Sequence, residues 1–156
     1  MTFRLLAAAA ATVLLAACAS QPAPLQGAFT DLTPHQAAET DVTGAYVRWG
    51  GIVVQVEPQA NATCFEMMST RLNASGRPNW ARDDSTGRFI ACRAGFYDPA
   101  IFERGREVTF TGRIGGYENR RIGEYDYRFP KVDAEVIYLW PKYTVVTAPS
   151  PWPWWW

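Results

Sequence analysis

The chain has 156 residues, with Lys+Arg 15 against Asp+Glu 15 and a formal net charge of +0. That balance argues against nucleic acid as a partner, because affinity for a phosphate backbone needs an excess of cations. The length suits one domain around one core.

In chain order, Met1 to Arg4 carries one positive charge, and Leu5 to Leu15 is almost entirely Ala, Leu and Val. Small residues follow at Ala16 and Ala17, so residues 1–17 read as a secretory signal peptide. The apolar run is too short to cross a hydrocarbon core, which takes about 20 helical residues. Leu15-Ala16-Ala17-Cys18 resembles the lipobox of bacterial lipoproteins. The resemblance implies that Cys18 becomes the first mature residue, takes a diacylglyceryl group on its thiol and is acylated on its amine. One acyl chain holds a membrane only marginally, at about 0.8 kcal/mol per buried CH₂, so stable anchoring takes more than one. In enterobacterial lipoproteins an Asp after the Cys favours inner-membrane retention; Ala19 here implies the outer membrane.

Residues 18–32, with Pro22, Pro24 and Gly27, read as a flexible tether. A β-domain is expected over 33–147. Thr33 can cap a short helix from Pro34 to about Thr40, which carries His35, the only His. From Ala45 the pattern turns to strand. Val47 and Trp49 share one phase and Ile52, Val54 and Val56 the other, which predicts a β-bulge at Gly50-Gly51. Further strands are expected at Thr63–Leu72 and Arg88–Ala94, with a polar loop between them. Cys64 and Cys92 fall opposite the Phe65/Phe89 face. An antiparallel pairing would let the two sulfurs meet, and export permits a disulfide; two free thiols are the alternative.

Asp98-Pro99 begins a helical turn. A fourth strand is expected over Arg106–Tyr117, a turn at Glu118-Asn119, a return over Ile122–Arg128, a break at Pro130, and a last strand from Val132 to Trp140. The tail, 148–156, carries Trp152, Trp154, Trp155 and Trp156 among prolines. Trp favours membrane interfaces, where its ring meets lipid and its N–H meets water. Stacking on glycan and a tail without a role are the alternatives.

Several segments together resemble the Slp-type outer-membrane lipoproteins, a family with members linked to starvation. They are Tyr46-Val47-Arg48-Trp49-Gly50-Gly51, Gly87-Arg88-Phe89-Ile90-Ala91, Gly95-Phe96-Tyr97-Asp98-Pro99, Gly105-Arg106-Glu107-Val108-Thr109, Ile122-Gly123-Glu124-Tyr125 and Leu139-Trp140-Pro141. The resemblance implies a lipid-anchored outer-membrane protein and supplies no active site. The strand pattern predicts an all-β fold, a small five- to six-stranded OB-like barrel with short helical segments behind the signal peptide.

A search for chemistry finds little. His35 lies outside the expected barrel, far from any nucleophile a catalytic triad would need. One His and two Cys do not make a zinc set. Asp83-Asp84 with Asp98 reads as solvated loop, and Glu124 with Asp126 as a surface pair rather than a glycosidase dyad. No catalytic residue, metal or cofactor is assigned. Arg48, Arg88 and Arg106 are expected to pair across strands with Glu66, Glu107 or Glu124 and fix the register. The expected partners are membrane lipid through Cys18, with other envelope proteins or peptidoglycan. Two functions compete: a non-enzymatic, structural or stress-related envelope lipoprotein, and a binding module for glycan, peptide or small ligand on an OB-like face. Clustering of Tyr46, Tyr125 and Tyr127 on an open face would favour the second.

Overall fold

The computed structural model describes residues 21–80 and 84–143. Cys18 and the four tail tryptophans lie outside them. Helix α1 (Pro34–Glu39) precedes five strands: β1 (Tyr46–Pro58), β2 (Ala62–Thr70), β3 (Gly87–Ala94), β4 (Glu107–Ile122) and β5 (Tyr125–Leu139). They close into a barrel in the order β1-β2-β3-β5-β4, with β4 returning to β1. All pairings are antiparallel except β3 with β5. This is the five-stranded, OB-like, all-β barrel that the sequence pattern implies.

Inward positions come from alternate residues of each strand. Phe65, Phe89, Phe110, Met67, Val47, Val53 and Val108 are all buried in one cluster. Phe65 meets Phe102 and Phe110, and Phe89 meets Trp49 and Phe110, at ring-centroid distances of 5.1–5.9 Å. Each buried Phe contributes about 1.5–3 kcal/mol relative to exposure. Phe102 arrives on the turn after Asp98, whose carbonyl accepts from the Ile101 and Phe102 amides. At the other opening, α1 has a capping box between Thr33 and Gln36. Its Ala37 is buried in the core.

Four expectations need correction. The bulge lies between Val53 and Gln55 in the β1–β2 ladder, not at Gly50-Gly51. Val47, Trp49 and Val53 all face inward, and the phase changes only before Val56. The glycines answer a different need: a side chain at Gly51 would overlap the Met68 carbonyl. Next, the β4–β5 turn falls at Gly123-Glu124, not Glu118-Asn119, because Glu118 is held in the strand by Arg120 and Lys131. Pro130 does not break β5. It pairs with Tyr117 just before β5 gains β3 as a second neighbour at Lys131, where a missing N–H is tolerated. The two short strands expected there are therefore one, and the barrel has five strands.

Lastly, residues 21–32 are not a free tether. Leu25 is fully buried, the Thr30 amide donates to the Tyr46 carbonyl, and Phe29 stacks on Tyr46 at 5.1 Å. Arg48 Nη1 donates to the Leu25 carbonyl at 2.7 Å and to Gln21 Oε1 at 2.8 Å. Two apolar side chains and one arginine bind this polar segment to the barrel, a contact that composition alone hides.

Candidate functional site

Two surfaces could serve a partner, and the long β4–β5 hairpin reaches both. One is the outer face of β2 and β3. Cys64 and Cys92 are paired in register there, and their sulfurs are bonded. Ile90 and Phe129 are buried with Cys64, and Ile122, Tyr127 and Cys92 pack around them. Phe129, Tyr127 and Ile122 belong to the far half of the hairpin, which folds over this face as an arm. Tyr127 Oη accepts from the Arg88 amide at 2.9 Å. Arg88 donates to Glu66 at 2.7 Å, and Arg120 reaches Glu57 at 2.7 Å and Glu118 at 2.6 Å. Hydrogen bonds donated by Arg120 to the Glu57 carboxylate, against a smaller opposing effect of burial, raise the Arg120 pKa and hold its charge. The face is thus occupied by the chain itself, and its charges are paired.

The tyrosines follow from this. Tyr127 is on the inner side of the arm and Tyr125 stands exposed near its tip. Tyr46 lies elsewhere, with Phe29 on its ring and Glu135 on its hydroxyl. They do not form one open aromatic cluster. Of the three arginines expected to pair across strands, Arg88 does so with Glu66. Arg48 instead grips the N-terminal segment, and its partly buried guanidinium has a pKa lowered by desolvation. Arg106 donates to the Ile101 and Trp140 carbonyls.

His35 is exposed on α1, 3.5 Å from Glu39, and its amide donates to the Thr86 carbonyl. Asp83 lies outside the described residues; Asp98 serves as a turn cap. Asp126 faces Arg121 at 3.8 Å on the exposed arm, and Glu124 occupies the turn. Among the described residues there is no group of three or more His, Cys, Asp or Glu able to hold a metal ion, and no helix long and apolar enough to cross a membrane.

The second surface lies at the other end of the hairpin. A groove of about 540 Å³ is lined there by Arg77, Trp80, Arg104, Arg106, Trp140 and Lys142, among others. Its wall is the 73–80 loop. Asn73 Oδ1 accepts from the Ser75 and Arg77 amides and shapes the loop. Arg77 donates to Glu107 at 2.6 Å and to the Pro141 carbonyl at 2.9 Å, and it covers the Tyr143 ring at 3.8 Å. The buried Thr109 hydroxyl links Trp140 Nε1, at 2.9 Å, to the Gly76 carbonyl, at 2.8 Å. A Cβ at Gly76 would meet the Gln21 amide nitrogen at 3.0 Å. So Gln21 and Tyr143, the outermost described residues, both touch adjacent positions of one loop. No local pattern in the chain signals this groove, because three separated segments build it.

The chain is thus a small all-β protein built on one closed five-stranded barrel. A family profile described as "Outer membrane lipoprotein Slp family" matches residues 15–156. The chain belongs to that family, and so is a lipid-anchored protein of the outer membrane. It is 33% identical over 151 residues to the uncharacterized lipoprotein YeaY of Escherichia coli (strain K12), covering 96% of this chain and 75% of that protein. An uncharacterized protein of Haemophilus influenzae is 31% identical over 104 residues, which is 67% of this chain and 56% of the relative. A small single-stranded DNA-binding protein from Streptomyces coelicolor superposes over 60% of this chain and 92% of its own, with a TM-score of 0.36 and 16% identity. That likeness is too loose to bear on function.

Proposed function

We propose that this protein is a non-enzymatic envelope component, structural or stress-related, anchored through an acylated Cys18 and held with one end of its barrel against the membrane. The observation that carries the reading is the junction at the 73–80 loop. Cys18 is three residues before Gln21, so its reach beyond that loop is roughly 10 Å. Residues 21–32 lie on the barrel rather than forming a spacer, which keeps the domain close to its lipid. Tyr143 lies under Arg77 of the same loop and is 13 residues or fewer from each tail indole in sequence, a separation that allows indoles and acyl chains to enter one lipid surface. The absence of a convergent acid, base and nucleophile among the described residues favours the non-enzymatic reading. The covered β2–β3 face counts against the ligand-binding alternative.

The test is Cys18→Ser followed by fractionation. The substituted chain should leave the membrane fraction, and deletion of 151–156 should weaken only the residual binding. A Cys18→Ser chain that stays fully membrane-bound contradicts the anchor.

A further inference from the structure

We infer that the groove beside the 73–80 loop is a site for the phosphate of an anionic lipid headgroup. This rests on the membrane-facing reading above and gives that end of the barrel a chemical specificity. The groove is lined by four cations, Arg77, Arg104, Arg106 and Lys142, against two carboxylates, Glu103 and Glu107. In a chain of formal net charge +0, that is a local excess of positive charge. The carboxylates are matched: Glu107 with Arg77 and Glu103 with Lys142.

The excess therefore belongs to Arg104 and Arg106. Arg104 is exposed and forms no ion pair among the described residues. Arg106 donates Nη1 to the Ile101 carbonyl and Nη2 to the Trp140 carbonyl, bonds that orient the guanidinium without neutralising it. A cation fixed by neutral acceptors is prepared for an anion. Trp80 also lines the groove, and its buried Nε1 has no hydrogen-bond acceptor among the described residues. A phosphate oxygen supplies what this N–H lacks.

The surroundings select the source of the phosphate. Ile101 is 53% exposed and Tyr143 is 74% exposed near the groove, an apolar and aromatic fringe of the kind that enters a headgroup region. A site for free phosphate has no need of it. Tyr143 lines this groove and Gln21 lies near Gly76 in the adjoining loop, so on the membrane-facing reading the anchored domain presents the groove to the bilayer.

The experiment uses the full chain carrying Cys18→Ser, sedimented with vesicles of phosphatidylcholine alone or mixed with phosphatidylglycerol. Preferential binding to the anionic vesicles, weakened by salt, is expected. Arg104→Ala should weaken it about fivefold, and Arg104→Glu about tenfold or more, from the usual contribution of one cation near an anionic surface. Trp80→Phe, which keeps a ring and removes the N–H, should also weaken it. Arg93→Glu, on β3 outside the groove, should have a smaller effect. Equal binding to neutral and anionic vesicles overturns the inference, as does an Arg104→Glu chain that binds like the parent. Saturable binding of inorganic phosphate without a preference for anionic vesicles overturns it in favour of a soluble ligand. Charge-blind binding by a chain that Cys18→Ser has released removes the headgroup site and leaves the anchor standing. Failure of Cys18→Ser to release the chain in cells removes the anchor reading whatever the vesicles show.

Discussion

The two ends of the β4–β5 hairpin use similar residues to opposite effect. At the turn end, Arg120 is enclosed by Glu57 and Glu118, and Tyr127 and Phe129 are laid onto the β2–β3 face. At the other end, Arg106 is held by backbone carbonyls, Arg104 forms no ion pair among the described residues, and Tyr143 is exposed. Aromatic and cationic residues are structural where the chain supplies their partners. They become available where it does not. The face most often used for ligands in OB-type barrels is closed here, and the open chemistry lies at the end where Gln21 and Tyr143, the outermost described residues, sit.

The largest expected effect breaks the closed end. Phe129, on the inner side of the arm, is fully buried against Cys64 and Ile90. Phe129→Ala should cost about 3–5 kcal/mol, measured by denaturant unfolding. A loss below about 1 kcal/mol would mean that the arm only rests on the face, and the contrast between the two ends would weaken.

A smaller effect sharpens the electrostatic side. Arg120→Ala should cost about 1 kcal/mol, because the pairs it breaks are partly exposed and screened. It should also change the response to acid. Burial pushes the Glu118 carboxyl up, but hydrogen bonds from Arg120 and Lys131 outweigh this and leave its pKa lowered. A carboxylate with a depressed folded-state pKa stabilises the fold above the ordinary range and loses that contribution as pH falls through it. Stability should therefore decline on acidification below the ordinary glutamate pKa of about 4.3, and less steeply in Arg120→Ala. Identical slopes would show that Arg120 does not hold Glu118. At the open end, Arg104→Glu should change stability by no more than about 0.5 kcal/mol while reducing binding to anionic vesicles.

The barrel was legible because alternation is read within one strand: Val47 with Trp49, and Phe65 with Met67, announce their face locally. The errors arose where local chemistry and tertiary pairing disagree. Glu118-Asn119 is turn-like in type, yet Arg120 and Lys131 keep Glu118 in a strand whose neighbours cover a second cluster. Pro130 looks like a break until β5 is known to gain a second partner only at Lys131. The 21–32 segment is poor in apolar residues, and its order depends on Arg48 reaching across from β1. The groove was the least legible, since 76–80 read as part of a polar loop while Arg106 and Trp140 read only as the ends of separate strands.

The central claim is that the 73–80 loop faces the membrane and the hairpin turn points away from it. The direct measurement places a fluorophore at Ala74→Cys or at Glu124→Cys, both exposed positions, in the lipid-anchored protein. A quencher carried on lipid headgroups then reports which end is near the bilayer. The account predicts strong quenching at position 74 and little at position 124. Equal quenching at both, or stronger quenching at 124, would contradict it.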